Sequence, residues 1–133
     1  IHGWAACFSE GSSYLCVTRE TADENLPLAL MYDDNFARIQ DRVNYITQVW
    51  VDTFEDYTMR HIVHRMEVEE SGPDRYRVES NIMVAYTTAR GRSELLTSGV
   101  YEDEIELGAN PRFISKKVII DTAVTPRYIV YPI

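Results

Sequence analysis

The stretch MRHIVHRMEVEESGPDRYRVESNIMVAYTT (59–88) decides the fold. Its second half alternates without a break. Tyr76, Val78, Ile82, Val84 and Tyr86 fall on one face, and Arg75, Arg77, Glu79 and Asn81 on the other. A period of two means a half-buried strand. The first half reads the same way, with Ile62, Met66 and Val68 set against Arg65, Glu67 and Glu69. SGPD (71–74) between them supplies turn residues. The strand reading also settles RHIVHR (60–65). On a helix His61 and His64 would share a face and could hold a metal; on a strand they project to opposite sides and one ion cannot take both. His64 is expected on the face of Ile62 and Met66, as a core or interface histidine. His61, beside Arg60, is placed to meet a carboxylate.

Outward from this hairpin the same period continues. SELLTSGVYEDEIEL (93–107) sets Tyr101, Asp103, Ile105 and Leu107 opposite Glu102, Glu104 and Glu106, which read as a solvated face. RFISKKVIIDTAV (112–124) is apolar on both faces around Val118–Ile120, as a central covered strand is. Four long strands joined by RGR (90–92) and GANP (108–111) predict an antiparallel meander. Strands so long must coil, and Gly99 is the expected bulge where the sheet bends.

The N-terminal part is helical by the same test. Phe36, Ile39, Val43, Ile46 and Trp50 step by three and four, with Asp33, Asp34 and Asn35 as cap. Ile1, Trp4, Ala5 and Phe8 follow a helical spacing ending near Gly11, so the chain is expected to start inside its first helix and to lack an N-terminal piece. SSYLCVTRE (12–20) reads as a short strand and TADENLPLAL (21–30) as a loop. The expectation is one α+β domain over 1–133: a strongly curved antiparallel sheet wrapped around helices.

Composition narrows the function. Thirteen basic against 21 acidic residues leave a net charge of −8, which excludes a nucleic-acid binder working through a basic face and disfavours an anionic membrane surface. No apolar run approaches the roughly 18 residues of a membrane helix. Cys7 and Cys16 are too few for a disulfide framework and are expected reduced and buried. No nucleophile motif, phosphate-cradling glycine loop or Cys/His cluster occurs. The residues alone describe an acidic α+β domain without visible catalytic equipment.

Five segments, in order, resemble the small (β) subunit of bacterial aromatic-ring-hydroxylating (Rieske-type) dioxygenases: Arg19–Glu20, Tyr32–Asp34, Asp41–Val43, Arg60–Val63 and Lys116–Val124. The opening IHGWAACFSEGSSY is similar to the family's first helix and strand. The resemblance implies a cone-like sheet of the cystatin-like and scytalone-dehydratase-like kind. It implies no cofactor in this chain: the Rieske 2Fe–2S cluster and mononuclear Fe(II) belong to the larger α subunit. It further implies three α and three β chains with a β trimer as stalk. Electrons would come from NAD(P)H through a ferredoxin or reductase acting on α, in a bacterial cytoplasm, for aromatic compound catabolism. The chain departs from many members in VWVDTFEDYTMRH before the Arg–His pair and in His64–Arg65 after it. Tyr57-x-x-Arg60-His61 looks more like the subunits serving aromatic acids such as salicylate, anthranilate or terephthalate. Arg60, His61, Tyr57, Tyr128 and Tyr131 are then candidates for subunit interfaces, and the apolar YIVYPI (128–133) is expected to be packed. The competing expectation is a stand-alone isomerase or dehydratase, or a plain ligand-binding module, of the same cone fold. Its polar set in the cone interior would be His64, Asp121 and a tyrosine.

Overall fold

A computed structural model describes residues 1–133. Six strands form one sheet: β1 Phe8–Thr18, β2 Met31–Asp33, β3 Tyr57–Gly72, β4 Arg75–Thr88, β5 Ser93–Glu106 and β6 Arg112–Ile120. Their order is β2-β1-β6-β5-β4-β3. The meander β3–β6 is antiparallel throughout. β1 closes on β6 in parallel, so the sheet is mixed. β3, β4 and β5 have 16, 14 and 14 residues, well over twice the usual five or six.

The helical stripe forms α2, Phe36–Asn44, which continues through a wider π turn at Tyr45–Val49. Asn35 is the cap, its side chain accepting from the Arg38 N–H at 3.1 Å. Asp33 belongs to β2 instead and grips Arg42 of α2 through both carboxylate oxygens, at 2.5 and 2.9 Å. This pair fixes the helix over the inner face of the sheet, where Ile39 and Ile46 join Tyr14, Cys16, Val84, Val118 and Ile120 in one core.

Several local expectations are corrected. Phe8 begins a strand, not the end of a helix, and only the 3-10 turn Ala5–Cys7 precedes it. Gly11 lies within β1. The loop after β1 contains a short helix α1, Arg19–Asp23, capped by Thr18. Cys16 is buried, which pushes its thiol up to about 12, but Cys7 is exposed. Gly99 is not a bulge: it pairs in regular register with Ile82 and Ile120. The irregularity in β5 falls between Leu95 and Thr97. Glycine at 99 serves a close approach, since a Cβ there would overlap the Ile119 carbonyl oxygen.

A register shift between Arg65 and Glu67 changes the reading of β3. An extra residue flips which alternation faces inward. Before it the odd positions lie on the inner face beside Tyr86 and Val84, with Tyr57 buried, Met59 half-buried and His61 at the rim, its ring against Tyr101 but the residue still exposed; after it Val68 takes the inner side opposite Val78. His64 therefore stands exposed on the outer face with Ile62, not in the core.

Candidate functional site

The concave side of the sheet holds a cavity of about 490 Å³, bounded by the N-terminal turn, β3, β5, β6 and the C-terminal segment. β3 contributes Tyr57, Met59 and His61; β5 contributes Tyr101; β6 contributes Phe113 and Lys116. Trp4 and Tyr131 complete an aromatic wall. Each inward position follows from the pleat, because alternate residues of a strand share a face.

The C-terminal segment is packed, as its apolar character predicts. Val130 and Ile133 are almost fully buried. The Tyr14 hydroxyl accepts from the Ile133 N–H at 3.0 Å and donates to its carbonyl at 3.2 Å. The Tyr57 hydroxyl accepts from the Val130 N–H at 3.3 Å, and the Tyr57 ring meets Tyr131 edge-on at 5.3 Å. Tyr57 is thus an interior residue and Tyr131 a wall of the cavity.

Four polar side chains converge in this apolar setting, from the neighbouring strands β5 and β6 and, across β4, from β3. Asp103 and Lys116 oppose each other in the β5–β6 register, and Lys116 Nζ donates to both carboxylate oxygens at 3.2 and 3.1 Å. The same ammonium lies 3.3 Å from the centre of the Tyr101 ring, a cation–π contact. The Tyr101 hydroxyl is 2.9 Å from His61 Nδ1. Burial dominates every ionisation here. It raises Asp103 and Tyr101 and lowers Lys116, with the ion pair opposing the shift in Asp103 and Lys116. His61 is lowered by burial first and by the Lys116 charge second. A neutral imidazole facing a neutral phenol is the state this set favours.

The other residues singled out from sequence lie elsewhere. Asp121 is exposed and held by Arg19 at 3.0 Å. It sits beside Ser98, which pairs with Met83, which pairs with Ile62. His64, two residues beyond Ile62 on β3, is therefore separated from Asp121 by three strand spacings across the sheet, roughly 14 Å, as well as by its offset along the strand, and the two do not share a cavity. Arg60 is exposed and makes no ion pair within the chain. Tyr128 is also exposed. The stripe Glu102, Glu104 and Glu106 is on the outer face, with Lys117 and Arg75 answering Glu102 and Glu106. No group of three His, Cys, Asp or Glu side chains is placed to hold a metal ion. No helix is long and apolar enough to cross a membrane.

Residues 1–127 match the family described as Ring hydroxylating beta subunit. The chain belongs to the ring-hydroxylating beta subunit family. Among its relatives, the small subunit of anthranilate 1,2-dioxygenase from Burkholderia cepacia is 28% identical over 134 residues, covering 100% of this chain and 82% of that one. A solved beta subunit from Novosphingobium aromaticivorans, ascribed to an aromatic-ring-hydroxylating dioxygenase, superimposes with a TM-score of 0.83 at 25% identity. That match covers 97% of this chain and 80% of the other. A scytalone-dehydratase-like protein from the same organism shares the fold alone, with a TM-score of 0.66 at 13% identity over 96% of this chain and 76% of its own. This beta subunit is thus an α+β cone, as its sequence predicts. Sequence reasoning missed Tyr101, Asp103 and Lys116. The available signal was an Asp and a Lys each interrupting an inward-facing apolar row.

Proposed function

We propose that the chain is the non-catalytic structural subunit of a multicomponent aromatic-ring-hydroxylating dioxygenase. Its iron and Rieske cluster would reside in an α partner fed with electrons from NAD(P)H by a ferredoxin or reductase, in a bacterial cytoplasm. The family match over residues 1–127 carries this reading. The anthranilate dioxygenase relative supports an aromatic acid as the substrate class.

A physical observation supports a subunit role. β3 is the sheet edge, and Ile62, Val63, Met66 and Val68 along it are 59%, 52%, 55% and 46% exposed. A long apolar edge open to water is an aggregation hazard that proteins normally cover. An assembly of three α and three β chains supplies that cover.

Co-expression with the α chain tests the proposal. The expected result is a complex whose mass by native mass spectrometry fits α3β3, and whose α chain is inactive on an aromatic acid until β is added. A chain that remains a stable monomer beside α overturns it.

A further inference from the structure

We propose that the concave cavity is a binding site of this chain for a small, planar, uncharged aromatic compound bearing a hydroxyl group. The inference rests on the cavity's geometry and stands whether or not the oxygenase reading holds.

Size and walls come first. The cavity measures about 490 Å³, and nine of its twelve lining residues are hydrophobic. That volume falls within the range of small-molecule sites. Trp4, Phe113 and Tyr131 offer ring faces and edges, and Met59 an adaptable thioether, which suits a flat ring.

The polar groups then select the substituent. Lys116 spends two donors on Asp103, and its ammonium rests on the Tyr101 ring. Its charge is already matched, so an incoming carboxylate would be desolvated without a free counter-charge. His61 differs. Its Nδ1 is committed to the Tyr101 hydroxyl, while its Nε2 has no hydrogen-bond partner in the chain. One tautomer leaves Nε2 as a donor and the other as an acceptor. A hydroxyl group can answer either; a bare hydrocarbon answers neither. The cavity thus discriminates in two directions, against charge and against the absence of oxygen.

The test titrates the purified full chain with 2-naphthol, 2-naphthoate and naphthalene by isothermal titration calorimetry. Saturable one-to-one binding of 2-naphthol is expected, with the other two about tenfold weaker, the worth of one good polar contact. His61→Phe should erase the preference for 2-naphthol over naphthalene while keeping naphthalene bound. Met59→Trp, which fills the cavity, should abolish both. Far-UV circular dichroism checks that each variant folds. If a variant does not fold, transferred nuclear Overhauser effects from 2-naphthol to the Trp4 and Phe113 ring protons of the wild-type chain decide the location. Absence of saturable 2-naphthol binding, equal binding of all three probes, an unchanged preference in folded His61→Phe, or Overhauser contacts outside the cavity would each overturn the proposal.

Discussion

Asp103 and Lys116 stand opposite each other in the β5–β6 register and pair at 3.1 Å, with side chains only 8% and 9% exposed. Burial opposes the charge on each, so each depends on the other. Removing one partner leaves a buried charge uncompensated. Lys116→Met is expected to cost about 3–5 kcal/mol in urea unfolding at neutral pH, whereas Asp103→Leu with Lys116→Met should recover most of that loss. The single variant carries a pH signature. Without the ammonium the Asp103 carboxyl rises further, and a carboxyl raised above its unfolded value favours the fold only below its folded pKa. The Lys116→Met deficit should therefore shrink as pH falls towards 5 and grow again towards 8. A deficit that does not vary with pH would place the damage in packing.

His61 gives a second pH dependence with the opposite sense. Its imidazole is held below the ordinary histidine value by burial and by Lys116. The unfolded chain then takes up the proton first, near the ordinary histidine value of about 6.5. Stability attributable to His61 is full above that value and declines as pH falls through it towards the lower folded pKa. Denaturation curves of wild type between pH 8 and 5 should show the decline, and His61→Gln should flatten it. The same slope in both proteins would assign it to other groups.

How much of this was legible in the sequence depends on what each signal encodes. Arg75–Thr88 is a strand with the bounds its alternation predicts, because every second side chain meets the core and the extra residues of its two ladders fall in β3 and β5. β3 is harder. Its bulge at Arg65–Glu67 leaves no mark in composition, yet it decides which histidine faces inward. Trp4 and Phe8 are four apart, a helical spacing, but Ser12 occupies a buried inward position of β1 and hides the strand's period. Periodicity also says nothing of which strands are neighbours, so the parallel β1–β6 pair was not readable. The site was obscured for the same reason. Asp103 and Lys116 are 13 residues apart, and only the register shows that they neutralise one another.

Gly99 tests the close approach of β5 and β6. A methyl group there would overlap the Ile119 carbonyl oxygen and stand 3.0 Å from the Ile120 Cα. Both are backbone atoms of a strand paired on its two sides, so neither can swing away. Gly99→Ala should destabilise by more than about 3 kcal/mol, the upper end of ordinary overpacking. Gly108→Ala is the control, since nothing lies within 4 Å of the added atom. Similar thermal midpoints for the two variants would contradict the geometry.

Arg60 separates assembly from folding. It lies on β3 beside His61, exposed, with no carboxylate partner in its own chain. A guanidinium on an edge strand that exposes apolar side chains on both faces is suited to meet a carboxylate of another subunit, where its fork can bond both oxygens. Arg60→Ala should change the unfolding free energy of the isolated chain by no more than about half a kcal/mol, as exposed substitutions do, and leave its thermal midpoint close to wild type. In the complex the carboxylate facing it would be left buried and unpaired, at about 3–5 kcal/mol. Sedimentation velocity of the co-expressed complex should then show dissociation at concentrations where wild type stays assembled, and Arg60→Lys should restore part of the loss by returning the charge without the fork. Unchanged sedimentation of Arg60→Ala would remove Arg60 from the interface, and a lowered midpoint in the isolated chain would make it a residue of the fold.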